Sequence, residues 1–231
     1  TSYEVGYKGD LADSRVRVNA AVFYMQYDGY QQSVSTGNTP GERDFVNIDS
    51  ADIYGLEFDL SVAVTERLIG SFNYGYLNSS FGPNLISYLG LDANALDGLS
   101  LRTDELTDDL ALAPSHSATV SLDYTRSVSY GVFSANINSQ YQSKTNSGII
   151  NPTGYLDTRT LLGATTSLSE IELGSGYGYL KVMLWGKNLT DEEYTIGSIR
   201  QGAFDDLGFI GGVATFGDPR TYGIALEYEF L

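Results

Sequence analysis

The chain ends RTYGIALEYEFL, Arg220 to Leu231, and the order of residues in this stretch decides the fold. Tyr222, Ile224, Leu226, Tyr228 and Phe230 share one parity, while Thr221, Gly223, Ala225, Glu227 and Glu229 share the other. Successive side chains of a β-strand point to opposite faces, so strict alternation describes a strand with one apolar and one small or polar face. The fold then turns on the solvent that the apolar face meets, which is either the packed interior of a sandwich or lipid.

Working outward, the same alternation recurs along the chain. Tyr3 to Tyr7 forms a short segment, and Val16, Val18, Ala20, Val22 and Tyr24 oppose Arg15, Arg17 and Asn19. Tyr54, Leu56, Phe58, Leu60, Val62 and Val64 alternate with Gly55, Glu57, Asp59, Ser61, Ala63 and Thr65. Further strands are expected over Leu68–Ser80, Ala118–Tyr124, Phe133–Tyr141, Leu162–Leu168 and Tyr179–Leu189, where Lys181 interrupts the apolar count. With the terminal strand this makes nine.

The connections between them alternate in length. They are short near 9–14, 65–67, 127–130 and 173–176, and long near 34–44, 81–114, 145–157 and 190–219. A soluble sandwich has no reason to gather its short turns at one end, whereas an outer-membrane barrel has short periplasmic turns and long extracellular loops. Gly, Ser, Asn, Thr and Glu on the second faces suit a wet lumen. Tyr24, Tyr54, Tyr76, Tyr124, Tyr222 and Tyr228 at strand ends fit interfacial aromatic girdles. The expected fold class is therefore all-β, an antiparallel transmembrane β-barrel.

Composition agrees. No apolar run approaches the ~20 residues of a membrane helix, which leaves strands as the only means of crossing. The 231 residues contain no Cys, and so no disulfide framework or cysteine-ligated metal. A net charge of −16 argues against nucleic acid as a partner. The start, TSYEVGYKGD, lacks the features of a signal peptide, so the signal has been removed or the chain belongs to a longer protein. Nine strands would leave the termini at opposite ends of a barrel, although single-chain bacterial barrels have even counts. A larger barrel resolves the conflict.

GKNLTDEEY (Gly186–Tyr194) and GDPRTYGIALEYEF (Gly217–Phe230) resemble the end of TonB-dependent outer-membrane receptors. So do NIDSADIYGLEFDLSV (Asn47–Val62), AVFYMQYDGYQ and LAPSHSATVSLDY. The resemblance implies that residues 1–231 are the C-terminal portion of a barrel of about 22 strands, the plug domain and energy-coupling TonB box having no counterpart here. It implies an energy-coupled receptor in the outer membrane of a Gram-negative bacterium, importing a scarce bulky nutrient such as a ferric siderophore, cobalamin or a glycan. Its partners would be outer-membrane lipid and lipopolysaccharide, the missing strands and plug, the inner-membrane energy-coupling complex and a small-molecule ligand. Thr221, Gly223, Leu226, Tyr228 and Phe230 resemble the family's barrel-assembly signal, although Leu231 follows the aromatic on which most members end. The alternative is a self-contained small passive porin or adhesion barrel.

No catalytic constellation stands out, and the protein is not expected to be an enzyme. His116 is the only histidine, and an interfacial structural role suits it better than that of a catalytic base. Glu57 and Asp59 fall on the polar parity and are read as solvated charges in preference to an acid/base pair. The long loops hold the functional candidates. Loop 81–114 carries six carboxylates against one arginine, and loop 190–219 carries the same ratio, each a net of −5. Asp104, Glu105, Asp108 and Asp109 offer oxygens for Ca²⁺, which takes about 6–8 such ligands; a solvated acidic loop is the simpler account, and no other cofactor is implied. Tyr88, Phe204 and Phe209 offer flat apolar surface for a ligand, and Arg102, Arg200 and Arg220 can grip carboxylate or catecholate oxygens. Equally, Phe204, Phe209 and Ile210 can pack the loops together while Arg220 neutralises Asp218.

Overall fold

The computed structural model describes residues 1–35, 43–81, 110–147, 155–173, 178–201 and 211–230. Nine strands form one antiparallel sheet: β1 (Ser2–Leu11), β2 (Val16–Ser35), β3 (Arg43–Ala63), β4 (Leu68–Phe81), β5 (His116–Val128), β6 (Gly131–Gln142), β9 (Arg159–Glu172), β10 (Gly178–Lys187) and β13 (Thr221–Phe230). They follow one another across the sheet in chain order. All nine expected strands are present. Two small hairpins stand apart from this sheet, β7 (Thr145–Asn146) with β8 (Tyr155–Leu156) and β11 (Thr195–Gln201) with β12 (Gly211–Phe216). The loops read as irregular from sequence therefore carry structure of their own.

The register confirms the parity argument across the whole sheet. One row runs Val22–Leu56–Tyr76–His116, and another runs Leu60–Phe72–Val120. Further on, Leu122 pairs with Ile137 and Ile137 with Ala164, while Leu184 pairs with both Thr166 and Ile224. Apolar residues meet apolar or small ones from strand to strand, so one face is continuous. Lys181 falls on the opposite face, where its Nζ lies 3.4 Å from Glu227, and this accounts for the break in the β10 pattern.

That apolar face has no protein over it. Among the described residues only Ala51, Phe81 and Leu156 are buried apolar side chains. Ile224, Leu226 and Phe230 remain 69%, 70% and 81% exposed. Leaving one such side chain in water forfeits roughly 1.5–3 kcal/mol, and this face repeats that loss across nine strands. A single layer of this kind is stable only where the solvent is itself apolar, as in a transmembrane barrel wall.

At the short-turn end, the Arg15 guanidinium donates to the carbonyls of Ala63 and Val64, and Thr65 Oγ1 accepts from the amides of Arg67 and Leu68. At the other end β2 and β3 run 20 and 21 residues, about twice the ~10 needed to cross a membrane. Their outer halves extend the wall toward the long loops.

Candidate functional site

The polar face is built from short hydroxyl and amide side chains in register. Asp59, Asn73, Thr119 and Gln140 form one row, and Ser61, Ser71, Ser121 and Asn138 the next. Asn138 Nδ2 donates to Asn136 Oδ1 at 2.9 Å, and Asn136 Nδ2 donates to Asp123 Oδ1 at 2.7 Å, a ladder that holds the carboxylate. Toward the long-loop end this face forms an open cavity of about 430 Å³, lined among others by Glu57, Asp59, Asn73, Gln140, Gln142 and Arg159. Glu57 and Asp59 are exposed there, as expected of solvated charges.

Arg159 opens β9 and ties the cavity to the loops. One of its guanidinium nitrogens donates to Gln142 Oε1 at 2.7 Å and another to the Thr195 carbonyl at 3.3 Å, and its charge lies 5.0 Å from the centre of the Tyr194 ring. The Tyr194 ring in turn packs on Gly217, where any Cβ would overlap it. The base of the β11–β12 hairpin is thereby fixed to the wall by a half-buried cation.

Asn188 fixes the same connection from below. It is 5% exposed and takes a left-handed φ of 48°, a conformation that Asn adopts more readily than most residues. Its Nδ2 donates to the carbonyls of Glu192 and Asp218, and its Oδ1 accepts from the Glu192 amide. Asp191, also left-handed, accepts from the Arg220 amide at 3.0 Å and lies 3.4 Å from the Arg220 guanidinium. Arg220 is thus neutralised by Asp191 rather than by Asp218. The pair ties the start of β13 to the end of β10.

Of the other ligand candidates, Tyr88, Arg102, Phe204 and Phe209 lie outside the described residues, as do the metal candidates Asp104, Glu105, Asp108 and Asp109. Arg200 lies in β11, opposite Gly212. His116 lies on the apolar face, with Nδ1 2.8 Å from the Tyr74 hydroxyl and the Tyr76 ring 5.2 Å away. In the terminal strand, Leu226, Tyr228 and Phe230 fall on the apolar face. Gly223 falls on the polar one, where a Cβ would come within 2.8 Å of the Trp185 ring. Sequence reasoning passed over Arg159, Asn188 and Tyr194. The Asn-Leu-Thr-Asp run was a legible turn signal, but a lone Arg at a strand start carried none.

Residues 1–189 match the family described as TonB dependent receptor-like, beta-barrel. The fold is similar to the ferric yersiniabactin uptake receptor of Yersinia pestis, with a TM-score of 0.71 and 16% identity, covering 100% of this chain and 30% of that one. It is also similar to the ferric preacinetobactin receptor of Acinetobacter baumannii (TM-score 0.66, 16% identity, 98% and 29% covered). A third is the ferripyoverdine receptor of the outer membrane of Pseudomonas aeruginosa (0.61, 13%, 97% and 26%). The chain thus spans under a third of each of these receptors. No curated protein matches the sequence. A family match over most of the chain, on a single antiparallel sheet with one apolar and one polar face, shows that the chain belongs to the TonB-dependent receptor β-barrel family.

Proposed function

We propose that this chain supplies barrel wall and ligand-capturing loops to an energy-coupled receptor in the outer membrane of a Gram-negative bacterium, and that the cargo is a ferric chelate. The observation that carries this is the two-faced single sheet, apolar outside and hydroxyl- and amide-lined inside, with its packed and cavity-bearing end at the long loops. The solved structures of similar fold are named as receptors and transporters of iron chelates, which favours this cargo over cobalamin or a glycan. A plug domain within the lumen and an inner-membrane energy-coupling complex complete the system in this proposal. The polar rows of β3, β4, β5 and β6 then face the plug, and the cavity at Glu57 and Arg159 lies where the captured chelate leaves the loops.

The test is to purify the full-length protein from its native membrane, identify the bound small molecule by mass spectrometry, and measure uptake of its radioactive iron complex. Energy-dependent uptake that stops on uncoupling the inner membrane is the expected result. Passive entry of small solutes without saturation would overturn the proposal in favour of a porin.

A further inference from the structure

The chain's only histidine stands in an unusual place for an imidazole. On β5 the apolar-face positions read His116, Ala118, Val120, Leu122, Tyr124 and Arg126, an apolar run with one polar residue at each end. Ten residues at ~3.3 Å each, tilted by about 40°, span roughly 25 Å along the membrane normal, the height of a barrel's apolar band. His116 therefore lies at the headgroup level of one leaflet and Arg126 at that of the other. The ring is held in place. Tyr54, Tyr76, His116, Tyr74 and Phe72 form a continuous aromatic run, with successive ring centres 5.2–6.4 Å apart. The His116 amide donates to Ser143 Oγ, and the Ser143 amide donates back to the His116 carbonyl.

The Tyr74 hydroxyl and His116 Nδ1 share a hydrogen bond at 2.8 Å, and in the tautomer where the hydroxyl donates, the ring carries its proton on Nε2. The residue is exposed, and no described residue accepts from Nε2. A donor at the edge of hydrocarbon is costly unless it finds an acceptor, and at this depth on the outer wall the acceptors belong to lipid headgroups. Phosphate is the strongest of them, since the bond to it is charge-assisted. The carboxylate that would compete, Asp52, accepts from the Tyr24 hydroxyl at 2.7 Å. It pairs with Ser80, four residues beyond Tyr76, the partner of His116, so it stands ~13 Å further out, beyond a Debye length at physiological salt. We propose that the Tyr74–His116–Tyr76 cluster is a headgroup site on the lipid-facing wall, in which His116 Nε2–H donates to a phosphate oxygen of an outer-leaflet lipid. The site rests on the membrane placement above.

The test uses the full-length protein, labelled with ¹⁵N at histidine, in bicelles of phospholipid and in bicelles of a phosphate-free galactolipid. The imidazole signal is assigned by its absence from the His116→Phe variant. The expected result is a shifted Nε2 resonance and cross-relaxation to ³¹P in phospholipid only, not reproduced by adding inorganic phosphate to the galactolipid sample. Phospholipid retained through detergent exchange falls roughly tenfold in His116→Phe, with Tyr74→Phe intermediate. Identical imidazole signals in both bilayers, or equal retention by wild type and His116→Phe, would overturn the site. Extraction at alkaline pH from vesicles made with the same protein preparation and lipids separates the two ideas: a protein that stays inserted but shows no ³¹P contact refutes the site alone, and one that washes off refutes the placement and the site together.

Discussion

If the apolar face meets lipid, the cost of a charge on it depends on depth as well as on face. Val120 lies four residues from His116 and six from Arg126, which places it about 10 Å below one boundary and 15 Å above the other at the rise and tilt used above. Its side chain is 48% exposed with no protein over it. Val120→Arg should therefore destabilise the barrel by about 2–4 kcal/mol, the midplane value for Arg, whereas His116→Arg at the boundary should cost about 0–1 kcal/mol. Thr119→Arg, one residue away but facing the polar side between Asn73 and Gln140, should also cost little. The assay is reversible urea unfolding in lipid vesicles, followed by the fluorescence of Trp185, the single tryptophan of these 231 residues, with any tryptophan elsewhere in the barrel replaced by Phe. The predicted gap between Val120→Arg and Thr119→Arg is a factor of roughly 30 to 900 in the unfolding equilibrium. Equal costs at positions 119 and 120, or an equal cost at 116 and 120, would refute the lipid assignment. A protein layer covering the face would penalise all buried positions alike and would give no profile centred on the membrane.

Three further outcomes follow from particular contacts. Gly223→Leu forces a side chain into the Trp185 ring and should cost about 1–3 kcal/mol through overpacking; a changed Trp185 emission reports it, and an unchanged spectrum with full stability contradicts it. Asn188→Ala removes one acceptor and two donated bonds from a buried residue, so hydrogen exchange over 188–201 and 211–220 should quicken by roughly 5- to 150-fold while β5 and β6 amides stay protected. The Lys181–Glu227 pair is 42% and 73% exposed, so a double-mutant cycle should return no more than about 1 kcal/mol; a larger coupling would mean that the polar face is drier than its exposure implies.

How much was legible in the sequence follows from which physics each part obeys. The strands were legible because a period of two survives in Tyr222-Ile224-Leu226 whatever the partner strand, and lipid enforces it on every strand alike. Lys181 broke the count only for someone tallying apolar residues; by parity it belonged on the polar face from the start. The small hairpins were not legible. Thr145–Asn146 pairs with Tyr155–Leu156 over two residues each, too short for any period to show. Arg159 was not legible either, since its partners come from two distant places, Gln142 at the end of β6 and Tyr194 with Thr195 at the start of β11, and only the register of β6 on β9 sets Gln142 opposite it. Arg220 shows the intermediate case. The need for a nearby carboxylate could be read, but the choice of Asp191 over Asp218 depended on the left-handed turn at Asn188.

The distribution of buried side chains argues for where function must reside. Ala51, Ser79, Phe81, Thr145, Asn146, Leu156 and Asn188 are the buried large, small or polar residues of known side-chain placement outside glycine, and all stand toward the long-loop end. A transmembrane barrel wall needs no interior of its own where lipid covers one face and each backbone group is satisfied by the neighbouring strand. Above the membrane the chain meets water and must bury something to stay ordered. It does so with Phe81 against the Tyr30 ring, with the Leu110 amide on Ser79 Oγ, and with the Leu112 amide on the Asn146 carbonyl. Those bonds draw β4, the approach to β5 and the β7–β8 hairpin into one base. A binding surface requires side chains held to within fractions of an ångström, and among the described residues the buried side chains lie at that end. Weakening it, as Phe81→Ala would by about 3–5 kcal/mol, should therefore abolish ligand capture while leaving the barrel inserted. Loss of insertion in that variant, with capture intact in whatever remains folded, would show that the base serves the barrel and not the ligand.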